Sequence, residues 1–112
     1  MSAAPKLNAT DAEVDWTAPA SRVDRLVRAC TPVPGAWTTF RDERLKLRPI
    51  HLRPQIAHLG PGEIDAGRDG VRVGTGSHAI QLGEVQPQGK RPMPAADWAR
   101  GVRPGPAERL GR

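Results

Sequence analysis

Cysteine is almost missing from this chain. Cys30 is the only one in 112 residues, so no internal disulfide can form, and a reducing cytoplasm fits. Aromatic residues make up 4% and hydrophobic residues 38%, so a core must be built from few large side chains. No apolar run approaches the length of a membrane span, and the first 20 residues hold no apolar block of the kind a secretory leader needs. The expectation is one soluble, cytoplasmic, monomeric domain that is not exported.

Catalytic and metal-binding patterns are missing as well. His51, His58 and His78 have no Cys, Asp or Glu at metal-ligand spacing, and read as surface imidazoles. Gly-x-Gly occurs within Gly70–Gly76, but it joins two expected strands and opens no helix, so it reads as a hairpin turn rather than a phosphate loop. Glu63 and Asp65 lie two apart among turn residues, with nothing to make them a general acid/base pair. No aromatic residue alternates with the basic ones along the chain, as single-strand binding would want. Trp16, Trp37 and Trp98 are therefore expected as core anchors.

What the chain does have is one clear amphipathic helix. Val23, Leu26, Val27 and Cys30 recur at helical spacing, with Ala20 on the same side and Arg22, Asp24, Arg25 and Arg28 on the other. Asp24 and Arg28 form an i,i+4 pair in the better orientation. Thr17 is the expected cap, Pro19 the first-turn proline, and Pro32 with Pro34 the stop. On the apolar stripe Cys30 is expected to be a buried, inert thiol.

Glycine and proline, 12 each, are spread between short apolar segments, which predicts turns in a β-rich fold. Five strands are expected, over residues 36–40, 44–53, 63–66, 71–73 and 78–85. Arg41-Asp42-Glu43 is a hairpin turn without glycine, and the apolar phase slips by one at Pro49, which marks a bulge or bend. A short helix over 95–100, with Trp98 as its anchor, ends at Gly101. The predicted fold is mainly β: a small OB-like antiparallel barrel with a leading helix and a short C-terminal helix. Residues 1–13 are expected to be a lead-in, 14–102 the domain and 103–112 a flexible tail.

Net charge is +5, and the excess is zero over residues 1–40, three over 41–59 and two over 60–112. Arg44, Lys46 and Arg48 share one face of a strand at period two, where their mutual repulsion would be relieved by a polyanion. Lys90, Arg91, Arg100 and Arg103 are candidates to extend that face; the alternative is a solvated strand surface.

The motif series adds a family. Val14-Asp15-Trp16, Pro19 and Arg28-Ala29-Cys30-Thr31-Pro32-Val33-Pro34-Gly35-Ala36-Trp37 resemble the start of the C-terminal domain of methionyl-tRNA formyltransferases. Ala4–Leu7, Arg44–Leu47, Pro61–Ile64, Gly70–Gly76, Leu82–Pro87 and Gly89–Gly101 are similar to further segments of that domain, in order. Pro94 stands where the family usually has a small hydroxyl residue. The resemblance implies an OB-like domain that helps position initiator tRNA beside an N-terminal catalytic domain. That domain would transfer formyl from 10-formyltetrahydrofolate using an Asn, a His and an Asp. Neither those residues nor the folate pocket is recognised here, so the resemblance implies no cofactor in this chain and no activity by it alone. Arg44, Lys46, Arg48, Lys90, Arg91, Arg100 and Arg103 are the expected tRNA contacts. The alternative is a structural domain of a folate or sugar-nucleotide formyltransferase that binds no nucleic acid.

Overall fold

Eight strand segments and two helices account for the fold in a computed structural model that describes residues 11–31, 35–67 and 70–111. The first ten residues of the expected lead-in, the Pro32 and Pro34 stop, residues 68–69 and the last residue of the expected tail lie outside those residues. The strands form two four-stranded sheets. The first holds β1 (Trp37–Phe40), β2 (Glu43–Leu47), β7 (Glu84–Pro87) and β8 (Met93–Pro94), in that order. The second holds β3 (Ile50–Arg53), β6 (Ala79–Leu82), β5 (Gly70–Val73) and β4 (Ile64–Gly67). Every pairing between named strands is antiparallel. The mainly β class with a leading and a closing helix stands, but the two sheets do not close into a barrel.

Two of the expected strands each break in two at a shared corner. Pairing runs from Leu47↔Val85 to Ile50↔Leu82 with three residues advanced on each strand, so no bulge residue is inserted. The phase slip at Pro49 is therefore a bend. At that corner Arg48 N–H donates to Glu84 O over 3.1 Å, and a Cβ on Gly83 would meet Pro49 O at 3.0 Å. Leu45 and Leu47 before the bend and Ile50 after it stay buried because the chain crosses from one sheet to the other. Replacing either leucine by alanine would cost about 2–5 kcal/mol.

Both helices are capped by groups from elsewhere in the chain. α1 (Ala20–Cys30) has Pro19 at its N-cap and no side-chain cap of its own. Thr17 is not the cap: its N–H and Oγ1 both donate to Asp15 Oδ1, which holds the Asp15 carboxyl below its ordinary range. The Ala20 N–H instead donates to Ser77 Oγ over 2.9 Å, from a residue 57 positions away. Ala20, Val23, Val27 and Cys30 are buried, and burial pushes the Cys30 thiol up. α2 (Ala95–Val102) follows Pro94, and its first N–H, on Ala95, donates to Gly83 O over 3.0 Å. The helix runs through Gly101 and stops at Arg103, which takes the left-handed conformation (φ 49°) and donates its N–H to Ala99 O. Trp98 is the anchor expected: its ring meets Phe40 edge-on at 5.1 Å.

The ends are tied down more closely than composition suggests. Ala12, Val14, Trp16 and Ala18 are buried in alternation with exposed residues, and Glu13 bridges in parallel to Trp37. Trp16 Nε1 donates to Thr38 Oγ1 over 3.0 Å. The segment after α2 is not a frayed tail. Leu110 is buried, its N–H donates to Gly62 O, and Gly111 N–H donates to Thr39 O. Glu108 takes both oxygens to Arg41, at 2.6 and 2.7 Å, and accepts the Gly105 N–H. That pair also steadies the β1–β2 turn, whose two central residues, Arg41 and Asp42, have φ of 53° and 66° without being glycine.

Two stability tests follow from this packing. A Cβ at Gly76 would lie 2.0 Å from Thr17 O, against the backbone that leads into α1, whereas nothing lies within 4 Å of a Cβ at Gly101. Gly76→Ala should cost at least about 2 kcal/mol in urea denaturation, and Gly101→Ala should gain about 0.5 kcal/mol. Arg41 holds Glu108 down from its ordinary 4.5 to about 2. A depressed carboxylate stabilises the fold above its unfolded pKa, and that contribution is lost as pH falls from 4.5 through about 2. The gap in urea midpoint between wild type and Glu108→Gln should therefore shrink over that range.

Candidate nucleic-acid interface

The first sheet carries the concentration of positive charge that composition points to. Arg44 and Lys46 project from the exposed side of β2, with Leu45 and Leu47 on the core side. Lys46 is opposite Trp37 on β1 and opposite Gln86 on β7, so an indole and an amide flank the ammonium across the sheet. The Arg44 guanidinium lies over the Trp37 ring, 4.1 Å from its centroid. Together with Gln88 and Gly89 these residues wall a groove of about 350 Å³. No acidic side chain is among the described residues that line it. Neither Arg44 nor Lys46 is in an ion pair among the described residues.

A second depression adjoins the first, sharing Arg44, Pro87 and Gln88, and runs toward α2 past Arg41, Lys90, Met93 and Trp98. It also contains Glu43 and Asp97, so cationic character is strongest at the Trp37 end. In the groove wall, Gln86 Nε2 donates to Lys90 O over 3.0 Å, which fixes the amide.

The seven basic residues singled out from sequence do not share one face. Arg44 and Lys46 meet in the groove, and Lys90 lines its extension. Arg91 is exposed in the same connection. Arg48 departs from the period-two pattern because β2 ends at Leu47: it is half-buried at the sheet corner, with Nε 4.0 Å from Glu84 Oε1. Arg100 pairs with Asp97 and, with Arg103, borders a separate depression beside Ala66 and Gly67. Gln86, Gln88 and the Trp37 face are the residues that sequence reasoning missed as part of the site. Trp37 is both a core anchor and a platform: aromatic and basic residues interleave across neighbouring strands, not along one.

A family described as "Formyl transferase, C-terminal domain" matches residues 6–103. The chain belongs to that family. As a formyl transferase C-terminal domain it is 61% identical over 111 residues to a methionyl-tRNA formyltransferase of Thermobifida fusca, covering 99% of this chain and 36% of that protein. It is 62% identical over 108 residues to the methionyl-tRNA formyltransferase of Streptomyces coelicolor, covering 96% and 35%. The chain thus spans about a third of the length of these curated relatives. Among solved structures, a variant of HypX from Aquifex aeolicus superposes with a TM-score of 0.76 at 22% identity, covering 88% of this chain and 18% of that one. HypX in complex with tetrahydrofolic acid gives 0.74 at 23% identity, covering 86% and 18%. At that identity the likeness is one of fold.

Among the described residues no group of His, Cys, Asp and Glu could hold a metal ion, and no helix is long and apolar enough to cross a membrane. His78 is half-buried, with Nδ1 3.0 Å from Ala79 O, and His51 is exposed.

The stack of Arg44 on Trp37 can be tested directly. Arg44→Ala uncovers one of three tryptophans while Trp16 and Trp98 stay buried, so acrylamide quenching of the intrinsic fluorescence should rise. The cost in stability should stay near 0.5–1 kcal/mol, the range of an exposed cation–π contact.

Proposed function

We propose that this domain binds tRNA through the groove between β1, β2 and β7. There it would help hold initiator methionyl-tRNA while a catalytic region transfers formyl from 10-formyltetrahydrofolate to the methionyl amine, in translation initiation in the cytoplasm. The observation that carries the reading is the groove with Arg44 and Lys46 side by side on one strand, no acidic side chain among the described residues that line it, and Lys90 at its extension. Their exposed charges suit phosphates, and fixed donors on a sheet suit backbone-directed contacts that read shape on an A-form helix. Identity above 60% to methionyl-tRNA formyltransferases supports a tRNA ligand over the role of a structural domain in a folate or sugar-nucleotide enzyme. The domain would contribute affinity and orientation, and the formyl-transfer chemistry would belong to the catalytic partner.

Fluorescence anisotropy of labelled tRNA across a salt series tests this reading. Three phosphate contacts give a log–log slope of about −2 to −3, at roughly 0.7 to 0.9 per contact. Lys46→Glu should weaken binding and flatten the slope by about 1. Arg48→Glu, outside the groove, should leave the slope as it is. An absence of binding at low salt, or equal effects of the two reversals, would sink the proposal.

A further inference from the structure

A site made only for phosphate would be lined by donors alone. This groove holds something more: a flat cation stacked on an indole, and an amide with an acceptor left over. Gln86 spends its Nε2 on Lys90 O. Its Oε1 has no partner among the described residues. A carbonyl oxygen placed among cations repels an anion that comes close, and instead suits a ligand that brings its own N–H. The Arg44 guanidinium lies over the Trp37 ring, 4.1 Å from its centroid, and the side of such a planar group turned away from the indole is a stacking surface for a second ring. The volume, about 350 Å³, lies at the lower end of small-molecule sites and has room for one nucleotide projecting from a helix whose phosphates meet the exposed cations.

We infer that the groove receives one unpaired nucleotide of an RNA, with its base stacked on the Arg44–Trp37 pair and its exocyclic amino group donating to Gln86 Oε1. Lys46 then meets the flanking phosphate. The inference rests on the tRNA reading above and narrows it: the domain takes a base that is free of Watson–Crick pairing, and prefers adenine, cytosine or guanine over uracil. The preference follows from hydrogen-bonding capacity: uracil has no amino group, and its one pairing-edge donor, N3–H, lies between two carbonyl oxygens that the Gln86 acceptor repels. A base in an RNA duplex has both faces stacked, so it cannot lie on the guanidinium, and its spare amino hydrogen points into a deep, narrow major groove that side chains do not reach.

The test uses short RNAs with the same number of phosphates and different bases. The full chain is titrated against labelled hexamers of adenosine, cytidine, uridine and an abasic ribose-phosphate backbone, by anisotropy at low salt. Adenosine and cytidine hexamers should bind about three- to tenfold more tightly than the uridine hexamer, the worth of one hydrogen bond. The abasic hexamer should bind more weakly still, because it loses the stack. Gln86→Met, close in size to the native residue, should erase the difference between cytidine and uridine and leave the salt slope unchanged. Equal affinity for abasic and base-bearing hexamers would overturn the inference and leave the tRNA reading standing. So would tRNA binding that depends on Lys46 without any binding of hexamers. If neither ligand responds to Lys46→Glu, both readings fall. The abasic comparison needs no variant, so a Gln86→Met protein that does not fold leaves the test intact.

Discussion

The constraint on which the rest of this structure depends is the corner where one long antiparallel ladder turns from the first sheet into the second. Pairing holds its register through Pro49 and Gly83, so the two sheets share a hydrogen-bonded hinge line and one hydrophobic core. A Cβ on Gly83 would press against Pro49 O at 3.0 Å, so this position is crowded by the backbone of the corner. The Gly83 carbonyl is also the acceptor for the first N–H of α2. A single glycine thus joins the bend in the sheets to the placement of Trp98 on Phe40. The same bend ends β2 at Leu47, which is why Arg48 turns away from Arg44 and Lys46 and the cationic groove is confined to one sheet.

The groove is a consequence of pairing between strands. Trp37, Lys46 and Gln86 come from three strands and occupy neighbouring register positions. An indole, an ammonium and an amide in a row across a sheet make a surface whose chemistry none of the three strands holds alone. Arg44 adds the planar cation, at one strand position from the core residue Leu45 that anchors it.

Local periodicity made much of this legible. The spacing of Val23, Val27 and Cys30 announced α1, alternation through Leu45 and Leu47 announced β2, and Trp98 was legible as an anchor. Three features depended on contacts remote in sequence and were not. Strand breaks at Pro49 and Gly83 need the partner strand, since a bend without a bulge leaves only a phase slip in the sequence. Thr17 looked like a cap because the hydroxyl and spacing are right, but Asp15 claims it and Ser77 takes the place. The segment after Val102 is rich in proline and glycine, as loose tails are, yet Leu110 enters the core and Glu108 finds Arg41. For the site, charge pattern located Arg44 and Lys46. The order of strands was needed to add Gln86 and the face of Trp37, and to set Arg48, Arg100 and Arg103 apart.

Borrowed caps bear on the order in which this chain can fold. An isolated segment of 11 residues such as α1 is too short to hold helical structure in water, and this one has no side-chain cap of its own at its start. Ser77 reaches Ala20 only after the chain between β5 and β6 has settled, and Gly83 reaches Ala95 only after the corner has formed. Neither helix can hold its cap before the strand contacts that supply it are in place.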